Sequence, residues 1–363
     1  MKRIVWGGSI AGILLVFVGI LTVVRSRLST DTHQPLSPVV ETVRNIFPTQ
    51  TPKTTPIAPA TPASISIAES FPPRGRFPDE RIIVATGDVI PARSVNAQTA
   101  ARNDFTWSWK NIAPITSQGD ITLINLESPL LSDCPVTQEG MVFCGNARHS
   151  EGLVEGGVDI ANLANNHSAN HGESGLTETV SLLESKNIKT TGLSSAALQT
   201  VNGMRFAFLG YNDIYGSISP VSWADIPVME SQIRQAKQDA DIVIVSIHFG
   251  EEYTASPSVR QVELAHAAVN AGADLVIGNH PHWIQPVEVY RGKWITYAHG
   301  NTIFDQMWSE ETKKGVIGIY TFSGKTLADV SFIPTSIRSY GQPEIISDSK
   351  ERQKIRSLLV GVH

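Results

Sequence analysis

Hydrophobic positions change texture three times along the chain. Residues 4–24 carry no charged side chain, and at about 1.5 Å per helical residue these 21 positions reach roughly the 30 Å hydrocarbon core of a bilayer. The run is longer than the about 7–15 apolar residues of a secretory signal, and no A-x-A cleavage pattern follows it, so residues 1–27 read as a membrane anchor. Lys2 and Arg3 on one flank balance Arg25 and Arg27 on the other, so charge alone does not set the orientation. Residues 28–79 hold ten of the 21 prolines among many Ser and Thr. Such a segment has too little apolar surface for a core and reads as an extended spacer.

From Arg81 onward, short β-branched runs alternate with longer runs of helical period, the texture of parallel strands joined by crossover helices. Strands are predicted at 81–87, 120–126, 158–164, 205–210, 241–248 and 273–278, and helices at 173–186, 226–239 and 258–271. In the last of these, Val262, Leu264, Ala265, Ala268 and Val269 form one apolar stripe. Beyond residue 284 the strands 285–291, 294–298, 315–322 and 327–334 are separated by short turns, which predicts an antiparallel addition to one α/β domain over 80–340. Residues 341–363, rich in Ser, Lys, Arg and Glu, read as a surface helix or loose tail.

Charge narrows the partners: 29 Lys and Arg against 34 Asp and Glu give −5, which offers no broad basic face for nucleic acid. The two cysteines, Cys134 and Cys144, form either a disulfide in an oxidising compartment or a pair of loop thiols. Their C-x9-C spacing is not that of a zinc ribbon.

The chemistry gathers at strand ends, where α/β sheets build their sites. His167, His171, His248, His280, His282 and His299 all lie at or just past a predicted strand. Gly87-Asp88, Asn125-Leu126-Glu127 and Asn165-Asn166-His167 follow three other strands. Imidazole suits Zn, Mn or Fe, and Asp, Glu and Asn oxygens suit the harder members of that set, so the residues point to one or two divalent ions. Arg93 either orients an anionic substrate or is a surface cation; the sequence alone is compatible with both.

Taken in order, G87-D88-V-I-P-A-R93, N125-L-E127-S-P, A164-N-N-H167, H248-F-G-E-E-Y253, G-A-D274-L-V-I-G-N-H280-P-H282 and Y297-A-H-G-N301-T-I-F304-D305-Q306 resemble the CapA family. These are the bacterial capsule and poly-γ-glutamate synthesis proteins of the calcineurin-like metallophosphatase superfamily. The resemblance implies a four-layer αββα sandwich. It implies metal ligation by Asp88, Glu127 in the bridging position, Asn166, His248, His280 and His282, with His167 as the acid. In the mechanism these roles suggest, Arg93 would steady the developing negative charge. Three positions depart from the superfamily pattern: Ile90 replaces a histidine ligand, as in CapA-like chains generally, Asn170 replaces an Asp, and Asn279 replaces a His. The implied role is assembly, export or anchoring of an anionic cell-surface polymer such as poly-γ-glutamate. The Pro-rich spacer and the close cysteine pair, by contrast, predict from the residues themselves a single-pass protein whose domain lies outside the cytoplasm. Three activities are compatible with the implied role: a hydrolase or transferase acting on the polymer, a phosphoesterase acting on lipid- or sugar-phosphates, and a scaffold subunit of a polymer synthase.

Overall fold

The computed structural model describes residues 65–68, 70, 79–215 and 218–361. The expected anchor at 4–24 and most of the spacer lie outside these residues. Among the described residues no helix is long and apolar enough to cross a membrane.

In chain order the first half comprises β1 (Ser66–Ile67), β2 (Glu80–Val89), α1 (Ser94–Arg102), α2 (Ala113–Thr116), β3 (Ile121–Leu126), β4 (Leu130–Leu131), β5 (Gly145–Asn146), α3 (His149–Glu155), β6 (Ile160–Asn162), α4 (Gly172–Ser185) and β7 (Lys189–Thr191). The second comprises β8 (Ala197–Val201), β9 (Met204–Asn212), α5 (Ile226–Asp239), β10 (Ile242–His248), α6 (Val259–Ala271), β11 (Leu275–Asn279), β12 (Val287–Tyr290), β13 (Lys293–Thr296) and β14 (Asn301–Ile303). The hairpin β15 (Lys314–Ser323) and β16 (Thr326–Arg338), then β17 (Gln342–Ile345) and α7 (Ser349–Val360), complete the fold.

Two mixed sheets result. One runs β1-β16-β15-β2-β3-β6-β7, with β14 on β2 and β17 on β16; the other runs β12-β13-β11-β10-β9-β8. The pleat sends alternate residues to opposite faces, and the core divides accordingly. Ile83 and Ala85 of β2 meet Phe206, Phe208, Ile242 and Ile244 between the sheets. Their neighbours Ile82 and Val84 pack instead with Trp109, Ile112, Leu153 and Leu176 on the helical side. On the second sheet, Val243 and Val245 turn away from the inter-sheet core toward Met229 and Ile233 of α5 and Leu264 and Ala268 of α6. Both sheets are therefore covered on both faces, which explains why their strands read as continuous apolar runs.

Two expectations need correction. Within residues 341–361 a helix forms, as one of the two readings of this segment had it, but the segment is neither loose nor confined to the surface. β17 pairs with β16, and Ile355, Leu359 and Val360 of α7 enter the inter-sheet core. Polar composition hid an apolar stripe at helical spacing, and the Asp348 side chain caps the helix by accepting from Glu351 N at 2.8 Å. Nor is all of 28–79 spacer: Ser66–Ile67 pairs in parallel with β16, and Ile65 is buried in the core.

Candidate metal centre at the strand ends

The carboxyl ends of β2, β3 and β6 in one sheet meet those of β10 and β11 in the other. Asp88 lies in the last turn of β2 pairing, opposite Asn125 of β3, and His248 closes β10 opposite Asn279 of β11. Gly87 makes the approach possible, because a Cβ there would stand 2.0 Å from Gly300 O, and the Asp88 amide donates to that carbonyl at 2.9 Å.

Five side chains converge. Ligand atoms of Asp88, Glu127 and His248 lie within 4.8 Å of one another, as do those of Glu127, His280 and His282, so Glu127 belongs to both groups. All five are buried. Asn166 joins them, its Oδ1 2.9 Å from His248 Nε2. The structure therefore brings together the six positions implied as ligands.

Hydrogen bonding within this cluster is uneven. Asp88 Oδ1 accepts from Asn125 Nδ2 at 2.8 Å and Oδ2 from the His280 amide at 3.3 Å. His282 Nδ1 donates to Asn301 Oδ1 at 2.9 Å and to Asp88 Oδ2 at 3.1 Å. Glu127 is different: it is 0% exposed, and neither carboxylate oxygen has a hydrogen-bond partner. His248 Nε2 stands 3.4 Å from Glu127 Oε1. A buried, unsatisfied carboxylate costs several kcal/mol or more unless a cation compensates it, on the order of the penalty for any unpaired buried charge. Two carboxylates, three imidazoles and an amide oxygen form a donor set that fits a divalent ion such as Mn, Zn or Fe.

Electrostatics follow the same contacts. Burial pushes the Asp88 carboxyl up, but the His282 hydrogen bond and the charges of His282 and His248 outweigh it and leave the group below its ordinary value. Burial likewise opposes the charge on His282, yet Asp88 and Glu127 raise it to about 9. His280, desolvated and facing other imidazoles, lies well below the ordinary histidine range.

Beside the centre opens a cleft of about 180 Å³ whose lining includes Arg93, His167 and His282. The His167 ring stacks on Phe143 with centroids 4.1 Å apart, and its Nδ1 donates to Asn170 Oδ1 at 2.9 Å. Asn170 thus keeps an orienting role without a carboxylate. Arg93 lies 4.9 Å from each of the Phe143 and Phe304 ring centroids and is ion-paired to Asp305. Ile90, at the position of the missing histidine, is fully buried with Ala92, Phe143, Phe304 and Ile337, and so supports that aromatic pair. His299 is not part of the centre. Its Nε2 lies 2.9 Å from Tyr320 Oη, and burial holds it down at about 4.

Residues 82–306 match the family described as bacterial capsule synthesis protein PGA_cap. The chain belongs to this bacterial capsule synthesis family. It is 29% identical to the capsule biosynthesis protein CapA of Bacillus anthracis, over 78% of this chain and 74% of that one. It is 30% identical to the PGA biosynthesis protein CapA of Bacillus subtilis, over 75% of this chain and 76% of that one. Among solved structures, it is similar to a novel phosphatase of Mycoplasma pneumoniae at 15% identity and a TM-score of 0.46, covering 76% of this chain and 96% of that one.

Several site features of this capsule-family chain were invisible in its pattern. Asn162 and Asn165 donate to Asn125 Oδ1 at 3.2 and 3.3 Å, an amide cage that aims Asn125 Nδ2 at Asp88. Arg93, Tyr253, His280 and His282 all have positive φ (50°, 62°, 101° and 57°), a conformation that only tight surroundings impose on such residues. Asp305, quoted in the last motif without a role, is the ion-pair partner of Arg93.

Proposed function

We propose that this chain is a membrane-tethered, metal-dependent hydrolase or transferase that acts on poly-γ-glutamate outside the cytoplasm. The observation that carries the reading is Glu127: a fully buried carboxylate without a hydrogen bond, shared by two groups of metal-binding side chains. Family membership and the similarity to CapA proteins support the polymer as substrate. The Cys134–Cys144 disulfide supports an oxidising compartment, and the uncharged run 4–24 supports the tether.

Asp88, Glu127, Asn166, His248, His280 and His282 would hold one or two divalent ions, Glu127 being common to both groups of side chains. Such an ion supplies a Lewis acid and a water acidic enough to attack at neutral pH. The chain's own side chains do the rest. Asn170 holds the His167 ring by Nδ1, which leaves Nε2 to carry a proton to the leaving group. Arg93, steadied between two rings, meets negative charge that develops in the cleft. Phe143 walls the site and limits water around His167.

The test is complementation of a strain that lacks this gene and makes no polymer. Wild type restores polymer; Asp88→Ala and His167→Asn, expressed to the same level, do not. Full rescue by both variants would sink catalysis and leave a scaffold.

A further inference from the structure

Glu252 and Tyr253 are not among the converging metal-binding groups, yet both line the cleft beside them. The ionic groups of that cleft differ in their partners. The Asp305 side chain is 4% exposed and is consumed within the wall, where it accepts from Arg93 and from the Ser94 amide at 3.0 Å. Arg93 is the accessible member of that pair, 16% exposed. Glu252 is half-buried, and its side chain accepts a hydrogen bond from the neutral Tyr253 hydroxyl rather than from a cationic side chain. Next to it, Tyr253 is held in place from three directions. Its amide donates to Pro281 O at 2.8 Å, its hydroxyl accepts from Gln306 Nε2 at 2.9 Å, and its ring meets that of Trp308 edge-to-face at 4.7 Å. The positive φ of Tyr253 indicates that this placement is imposed on the backbone.

A carboxylate that a neutral phenol satisfies only in part, beside two aromatic rings, suits an ammonium group, which gains both a charge-assisted hydrogen bond and the negative ring faces. A guanidinium in the same cleft suits a carboxylate. A ligand that satisfies both carries opposite charges a short distance apart. In a γ-linked glutamate chain every residue keeps its α-carboxylate, but the α-nitrogen is an amide everywhere except on the first residue.

We propose that the cleft recognises the amino-terminal residue of a γ-linked glutamate chain, with its α-ammonium on Glu252 against Tyr253 and Trp308 and its α-carboxylate on Arg93. This rests on the polymer reading and adds that the protein works at a chain end rather than within the chain. Neither the anionic interior nor the carboxyl end offers a cation to Glu252.

The experiment is calorimetric titration of the full chain, in detergent with Mn2+, using γ-linked triglutamate and its N-acetyl derivative. The free-amine peptide binds about tenfold more tightly, the gain of roughly one charge-assisted hydrogen bond. Glu252→Gln reduces that preference below about twofold while affinity for the acetylated peptide is kept, and Trp308→Ala, at a ring 60% exposed, reduces it about threefold. Equal binding of the two peptides by wild type overturns the chain-end assignment but spares the polymer reading. Binding of neither peptide overturns both. Loss of bound Mn2+ from the Glu252→Gln chain would put that carboxylate on the metal and also overturn the assignment.

Discussion

Two clusters in this molecule join imidazole to a buried carboxylate, and they differ in how their lone pairs are met. In the first, between α6 and β12, Glu288 accepts from His266 Nε2 at 3.0 and 3.1 Å and from Tyr297 Oη at 2.6 Å. The His266 ring stacks on Tyr290 at 3.6 Å. In the second, at the strand ends, Glu127 is surrounded by histidines and accepts from nothing. Residue types are nearly the same. A satisfied cluster is complete as folded, whereas an unsatisfied one is held at a cost that only a ligand can offset. The lesson is that a candidate metal-binding cluster is marked by what its polar atoms lack.

The strongest way to break this comparison is to neutralise each carboxylate in turn. Glu127→Gln should weaken Mn2+ retention more than about 100-fold, beyond the loss expected for a partner outside the ligand set. In chelator the same variant should be more stable than wild type by about 1–3 kcal/mol, because a buried charge without donors is gone. Glu288→Gln should do the reverse: Mn2+ retention is unchanged, and stability falls by about 1–3 kcal/mol, because one acceptor oxygen becomes an NH2 that faces a donor and the charge of the acceptor is lost. Urea unfolding with and without metal reads both. The same sign for the two variants in chelator would erase the distinction.

How far the sequence reached is clear from these same residues. Asp88, Glu127, His248, His280 and His282 were legible because each ends an apolar run, and runs of that kind mark strands whatever their neighbours. The strands β2 and β10 themselves were legible for the same reason. Contacts between distant segments were not. Nothing in local spacing says that Asn162 and Asn165 grip Asn125, that Asp305 meets Arg93, or that the polar-looking segment 349–360 turns Ile355 and Leu359 into the core. Period reveals which face a residue takes, and only the assembled sheets reveal what stands opposite.

A third histidine sharpens the comparison by having no carboxylate at all. His149 is buried at the start of α3, its Nε2 3.1 Å from Asn96 Oδ1, and burial holds it at about 3, while His282 beside Asp88 stands at about 9. As pH falls through 6.5 the unfolded chain takes up a proton on this residue and the folded chain does not. The unfolded state then binds more protons, so stability falls with falling pH between 6.5 and about 3, by about 1.4 kcal/mol per pH unit. His149→Gln should flatten the urea-unfolding profile between pH 6.5 and 4.5 by about that slope. An unaltered slope would mean that burial does not keep this imidazole neutral.

The smallest effect comes from Tyr297→Phe, and it tests whether the first cluster is structural. Burial and Glu288 push the Tyr297 phenol upward, so it stays protonated as the donor of the 2.6 Å bond. Deleting the hydroxyl leaves Glu288 with His266 and removes one hydrogen bond, at a cost of about 1 kcal/mol. For a domain of this size that is a fall in Tm of about 2–4 °C. Mn2+ retention and polymer rescue should be untouched, because no atom of this cluster reaches the strand-end centre. A loss of either with the Tm unchanged would mean that the two clusters are coupled through β11 and β13. The satisfied site would then be part of the working one.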